Sequence, residues 1–163
     1  MTEKAKQPSA KPDKENSNGR GFVKKSVARL HAVQAVYGQS INPEHVGLVV
    51  NDYLTRRAGM EVEGEKLSAP DKPLFSKIVQ GVEERKDDLA DMLRAALGEE
   101  GRMPEPLLAA ILFCGAYEIL ACPDTDAPII INEYMDIAHA YYPPGEAKLV
   151  NAVLDKLAKT LRS

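Results

Sequence analysis

The 163-residue sequence has no long hydrophobic run. No stretch of 18 residues is uniformly apolar, which predicts that no helix spans a membrane. The longest apolar stretch, residues 107–122, is interrupted by Gly115 and Glu118 and indicates a buried core helix. The charged N-terminal segment lacks the apolar core of a secretory signal. We therefore expect a cytoplasmic protein without membrane contacts.

The sequence also has little of what metal sites and catalytic sites require. Its two cysteines, Cys114 and Cys122, lie on one predicted helix, roughly 12 Å apart, which is too far for a disulfide. The histidines His31, His45 and His139 fall on three different predicted helices, without Cys or carboxylate at ligand spacing. No Gly-rich phosphate loop, CxxC pair, HExxH motif or nucleophile signature is present. The sequence predicts no metal, no cofactor and no enzymatic activity.

Helical periodicity dominates from Val23 onward, and no segment reads convincingly as a strand. Residues 1–21, rich in Lys, Pro, Ser and Asn, predict a disordered basic tail because they offer too little apolar surface to bury. Residues 22–163 predict one all-helical domain. Its expected helices cover about 23–38, 46–57, a segment within 69–85, 86–97, 105–121, 127–141 and 146–161.

Positive charge is concentrated at the beginning of a chain that is acidic overall. Residues 1–29 hold eight basic and three acidic residues, whereas the remainder holds 13 basic and 21 acidic residues, for a net charge of −3. This asymmetry indicates an anionic partner for the basic end, although a solubilising tail is an equally good account of residues 1–20.

The first predicted helix contains "KKSVARLHAVQAVYGQ", residues 24–39. On a helical wheel, Val23, Leu30, Val33 and Tyr37 form an apolar stripe that we expect to face the core. Ala28, Ala32 and Ala35 then form a shallow exposed floor. Basic groups line its rims, namely Lys24, Lys25, Arg29 and His31. Such a surface suits a phosphate backbone, although most basic helix faces are simply solvated.

Four stretches resemble the NusB family in the same order. They are "ARLHAVQAVY" (28–37), "LFSKIVQGV" (74–82), "ILFCGAYEIL" (111–120), and "PIIINEYMDIAHAY" followed by "KLVNAVLDK" (128–141, 148–156). The last pattern, Ile-Asn-Glu and then Val-Asn-x-Val-Leu, is the most specific. The resemblance extends from about Lys24 to Lys156.

This resemblance implies an all-α fold of about seven helices in two subdomains. It implies a non-enzymatic transcription antitermination factor that binds single-stranded boxA RNA of ribosomal RNA leaders. The implied partners are NusE, a small-subunit ribosomal protein, and the antitermination complex on RNA polymerase. No residue of the NusE face can be matched from the sequence.

By the same resemblance, the RNA-binding residues are Lys24, Lys25, Arg29, Tyr37 and Tyr141. The basic residues would hold phosphates or base edges, and the tyrosines would contact or stack on bases.

The chain departs from the family pattern at three positions, because Ser26, Val27 and Phe113 stand where relatives commonly have Arg. Conversely, the polar residues of the matching stretches fit a structural role better than RNA contact; these are Tyr117, Glu118, Asn132, Glu133 and Asn151.

Two alternatives stay open. A helical adaptor or homodimer would use the surface of the first helix for protein–protein contact, and the missing arginines favour it modestly. An RNA-modifying enzyme is less expected, since residues 1–163 leave no segment for a cofactor-binding domain.

Overall fold

The computed structural model describes residues 12–57, 71–98 and 102–162. Within these ranges the chain forms seven α-helices, one π-helical segment at Tyr53–Arg57 that continues α2, and no strand. The helices are α1 Pro12–Ile41, α2 Val46–Asp52, α3 Lys72–Glu84, α4 Lys86–Leu97, α5 Pro106–Ala121, α6 Ala127–Tyr141 and α7 Pro144–Leu161. The predicted all-α class is confirmed. No helix among the described residues is long and apolar enough to span a membrane.

Helix α5 is the central helix, as its nearly continuous apolar sequence predicts. It packs against α1 and α3 on one side and against α4, α6 and α7 on the other. Helix α2 packs on α3, and α4, α6 and α7 complete the second group. Side chains with less than 2 % exposure, such as Phe75, Ile111 and Leu154, join both groups into one apolar core. The two predicted subdomains therefore share α5.

The predicted boundaries agree with the structure from α2 onward, where Pro and Gly punctuate the sequence. The main difference is α1, which begins at Pro12 rather than near residue 23 and ends at Ile41 rather than near Gly38. It thus takes in residues 12–21, which belong to the predicted tail. The part of that tail before residue 12 lies outside the described residues.

Two glycines allow close helix contacts with α5. A Cβ on Gly81 of α3 would overlap the ring of Tyr117, and a Cβ on Gly115 would lie 2.6 Å from Leu154 Cδ1 on α7. Both positions are helical, so the absence of a side chain matters here for packing rather than for backbone conformation. They set how near α3 and α7 lie to the central helix.

The end of α5 is capped from α7. The guanidinium of Arg162 donates to four carbonyl oxygens near the end of α5, at distances of 2.7–3.3 Å: those of Glu118, Ile119, Cys122 and Thr125. The last carbonyls of a helix have no partner within the helix and carry partial negative charge. Arg162 therefore stabilises this end by both hydrogen bonding and charge.

Candidate nucleic-acid interface

Helix α1 faces the core with its alanines. Ala28, Ala32 and Val33 are fully buried, whereas Val23 is 45 % and Tyr37 is 38 % exposed. The predicted orientation of the apolar stripe is therefore wrong for all but Val33 and the partly buried Leu30. The predicted alanine floor is not an exposed surface, because Ala28 and Ala32 are fully buried and Ala35 is partly buried. Relative to the prediction, the helix is rotated about its axis by roughly 100°.

Arg29 turns inward with this face, and it is only 2 % exposed. Its Nε donates to Glu118 Oε2 at 2.7 Å and its Nη2 to Glu118 Oε1 at 3.0 Å. Its Nη1 donates to Glu133 Oε1 at 2.9 Å. The Tyr134 hydroxyl donates to Glu118 Oε2 at 2.5 Å, and the Ser26 hydroxyl donates to Glu133 Oε1 at 2.6 Å. One guanidinium thus joins α1 to α5 and α6 through two carboxylates.

The charge state of Arg29 follows from this arrangement. Burial by itself lowers the pKa of its guanidinium, but the hydrogen bonds and the charge of Glu118 outweigh that effect, and the pKa lies above its ordinary value. Arg29 is a buried cation that donates three hydrogen bonds to carboxylates and is only 2 % exposed, so no phosphate can reach it in this fold. The expectation that Arg29 contacts RNA is corrected on this ground.

The sequence contains one indication of this buried network, which is the position of Glu118. Glu118 lies in a helix that is otherwise apolar, and a carboxylate is buried there only with a cation or hydrogen-bond donors. The structural role expected for Glu118 and Glu133 is confirmed, although Glu133 bonds α1 rather than α7. Asn132 and Asn151 are exposed, so they do not fix the packing of α6 against α7.

The other four predicted site residues are exposed. Lys24 and Lys25 are exposed residues in the N-terminal half of α1. Tyr37 and Tyr141 are 38 % and 42 % exposed. Gln34, which is not among the predicted site residues, connects the tyrosines. Its Nε2 donates to the Tyr141 hydroxyl at 3.1 Å, and it lies one turn before Tyr37. Tyr37, Gln34 and Tyr141 therefore form one continuous polar-aromatic surface across α1 and α6.

Tyr142 does not extend this surface. It is partly buried, and its hydroxyl donates to the carboxylate of Glu105, the residue that caps the start of α5. The adjacent tyrosines therefore have different surroundings: Tyr141 is exposed, and Tyr142 packs at the start of α5.

A cleft of about 1120 Å³ separates α1 from α2 beside this surface. Its lining includes Gln34 and Tyr37 on α1 and Tyr53 at its base. The Tyr53 ring stacks on Phe75 with centroids 3.7 Å apart, and its hydroxyl lies 2.5 Å from His31 Nδ1. Burial raises the pKa of Tyr53 to about 12, so this hydroxyl keeps its proton at neutral pH.

The described residues offer little for covalent or metal chemistry. No group of three His, Cys, Asp or Glu side chains in the described ranges is arranged to hold a metal. Cys114 and Cys122 are buried free thiols, and burial, together with the charge of Glu118, raises the pKa of both. Both therefore stay protonated at neutral pH, and a neutral thiol is a poor nucleophile.

Comparison with known proteins agrees with these features. A family model described as the NusB family matches residues 26–159. The chain is 38 % identical over 154 residues to transcription antitermination protein NusB of Allorhizobium ampelinum, covering 93 % of each sequence. It is 43 % identical over 141 residues to the protein of the same name from Brucella ovis, covering 85 % of this chain and 82 % of the relative.

A solved structure of T. maritima NusB shares the fold. Its TM-score is 0.65 at 20 % sequence identity, and the match covers 82 % of this chain and 89 % of the other. The helical arrangement, the match to the family model over most of the folded region and the close relatives lead to the same assignment. The chain belongs to the NusB family of transcription antitermination proteins, which are not enzymes.

Proposed function

We propose that the protein binds single-stranded boxA RNA together with NusE, and that the pair joins the antitermination complex on RNA polymerase in the bacterial cytoplasm. The observation that carries this proposal is the continuous exposed surface of Tyr37, Gln34 and Tyr141 in a chain of this family. Aromatic side chains stack on unpaired bases without needing a particular sequence. Lys24 and Lys25 lie on the same helix and supply positive charge for phosphates.

Binding at this surface depends more on stacking and less on positive charge than binding at an arginine-rich RNA site. Arg29 is directed inward, and uncharged Ser26 and Val27 follow the two lysines. Two phosphate contacts to single-stranded RNA give a slope of log affinity against log salt of roughly −1.4. Stacking, which contributes about 1–3 kcal/mol per base, therefore carries a large share of the affinity.

The test is a titration of a fluorescent single-stranded boxA RNA, with and without NusE, at several salt concentrations. The double variant Lys24→Ala/Lys25→Ala should weaken binding and reduce the salt slope by about 1.4. Tyr37→Ala or Tyr141→Ala should weaken binding by about 1–3 kcal/mol with an unchanged slope. Lys156→Ala is the matched control, because Lys156 is also an exposed lysine but lies on α7, outside the proposed surface of α1 and α6. Equal effects of the α1 lysines and Lys156 would refute this site.

A second function is favoured by the outer face of α1. Its positions alternate at spacings of four and three residues, as in a coiled-coil seam: Val23, Val27, Leu30, Gln34, Tyr37 and Ile41. Ile41 is 59 % exposed and Val23 is 45 % exposed, so both ends of this seam present apolar surface to solvent. This pattern suits pairing with another helix, in an adaptor or a homodimer, and such pairing would compete with RNA for Gln34 and Tyr37.

Sedimentation distinguishes the two functions. A homodimer that RNA fails to dissociate, and that Ile41→Glu converts to a monomer without any gain in RNA binding, would support the adaptor. A monomer that forms an RNA-bound species would support RNA recognition.

A further inference from the structure

Helices α1 and α3 lie side by side and run in the same direction. The Asp71 N–H, at the start of α3, donates to the Lys24 carbonyl oxygen of α1 at 3.0 Å. Further along both helices, Val36 of α1 lines one small cavity together with Val79 and Val82 of α3. The start of α3 is therefore fixed against the basic half of α1 and not against its other end.

This arrangement brings Lys72 next to the lysines of α1. Lys72 is the first residue of α3 and directly follows Asp71, whose backbone contacts Lys24. Lys24, Lys25 and Lys72 are all exposed. Among the described residues, no ion pair joins any of the three to a carboxylate. Two helices therefore contribute cations to one positively charged surface.

The charge of Lys72 is not balanced by its own helix. A cation is unfavourable near a helix N-terminus, because the N–H groups there carry partial positive charge. Helix α4 also begins with a lysine, Lys86, but Asp87 and Asp88 follow it in the first turn. The first turn of α3 has no acidic residue, and the carboxylate of Asp71 accepts a hydrogen bond from the helix backbone at 3.0 Å. Lys72 thus brings no stability to α3, whereas a bound anion would offset its charge.

Helix α1 lies between α3 and α6 on this surface. Ser26 and Gln34 donate to side chains of α6, whereas Lys24 accepts from the start of α3. At about 100° per residue, Lys24 lies about 120° around the helix axis from the midpoint of Ser26 and Gln34. The outer face of α1 occupies the arc between these contacts. A strand that reaches both α6 and Lys72 therefore crosses this outer face.

We propose that the bound RNA crosses α1 in this way and that Lys72 holds one of its phosphates, next to the phosphate held by Lys24. The proposal rests on the proposed function and adds the start of α3 to the RNA-binding surface. Each phosphate contact to a single strand contributes about 0.7 to the steepness of the salt slope, and Lys72 adds this amount to the contribution of the α1 lysines. Glu83 and Glu84, exposed at the end of α3, repel phosphates from that end.

The test is the affinity of the full chain for fluorescent boxA RNA, with excess NusE, between about 50 and 200 mM salt. Lys72→Ala should reduce the salt slope by about 0.7, so its loss of affinity over this range should be about 2.6-fold smaller than in the wild-type protein. Lys72→Arg should keep the wild-type slope. Lys86→Ala is the matched control and should also keep it, because Lys86 is likewise an exposed lysine at the first position of its helix.

A second measurement reports contact rather than charge and uses the unmodified sequence. Acetylation of lysine amines, followed by mass spectrometry, should slow at Lys72 and Lys24 when boxA RNA binds and should stay unchanged at Lys86. Equal acetylation of Lys72 with and without RNA, or equal slopes for Lys72→Ala and the wild-type protein, would overturn this inference and leave the proposed function standing. Failure of boxA RNA itself to bind would overturn both.

Discussion

Replacement of Arg29 by Met tests the buried network most directly. Methionine preserves most of the aliphatic volume but removes the three donors that contact Glu118 and Glu133. A buried carboxylate without its cation takes up a proton rather than keep its charge. At pH 7.5, protonating a carboxyl with the ordinary glutamate pKa of about 4.3 costs about 4 kcal/mol. This agrees with the loss of about 3–5 kcal/mol expected when one partner of a buried ion pair is removed.

The pH dependence distinguishes this mechanism from lost packing. In the variant, the folded state holds a glutamate proton that the unfolded state releases above pH 4.3. Stability is therefore highest below that pH and falls as pH rises toward the raised folded-state pKa. At pH 5 the cost of protonation is only about 1 kcal/mol, so most of the destabilisation should disappear.

The assay is urea unfolding followed by circular dichroism at pH 5.0 and 7.5, for the wild-type protein and for Arg29→Met. A control variant carries Arg29→Met with Glu118→Gln and Glu133→Gln, which removes the charges that Arg29 neutralises; its destabilisation should not depend on pH. A loss below 1 kcal/mol for Arg29→Met, or an equal loss at both pH values, would refute the argument. The slope of RNA affinity against salt should be unchanged in Arg29→Met, since the buried guanidinium releases no counterions.

Two further predictions concern close packing and capping around α5. Gly81→Ala should destabilise the fold by about 1–3 kcal/mol because its Cβ overlaps the Tyr117 ring. Gly38→Ala places its Cβ in open space on α1 and should stabilise the fold by about 0.5–1 kcal/mol. Equal urea midpoints for the two variants would contradict the packing argument. Arg162→Ala should cost about 1–3 kcal/mol by leaving carbonyls at the end of α5 without donors. Arg162→Lys should recover only part of this loss in the same assay, because one ammonium cannot reach four carbonyl oxygens.

Helix positions could be predicted from the sequence wherever a Pro or Gly marks the end of a helix. Pro106, Pro128 and Pro144 lie in the first turn of their helices, and Gly98 follows the end of α4 with φ of 94°. These residues act through local geometry, which does not depend on the rest of the fold. The central place of α5 was also predictable, because a helix that is apolar on all sides must be surrounded.

The facing of α1 was not predictable in the same way. Both of its faces carry apolar residues, and a helical wheel favours burial of the larger ones. The choice depends on Glu118 and Glu133, which lie 89 and 104 residues further along the chain. Of the predicted site, Lys24, Lys25, Tyr37 and Tyr141 lie at the surface, while Arg29 is buried by these long-range contacts.

The buried ion pair therefore decides what α1 presents to solvent. Hydrophobic burial alone favours the orientation of α1 that was predicted from the sequence, because Tyr37 and Ile41 have more apolar surface to bury than Ala28 and Ala32. That orientation would leave both carboxylates in the core without a cation, at a cost of several kcal/mol for each. The orientation with Arg29 inward avoids this cost and places the larger side chains outside. The aromatic surface proposed to bind RNA is thus exposed because the buried carboxylates need Arg29 as their cation. Substitutions of Glu118 or Glu133 should therefore alter that surface, although neither residue is part of it.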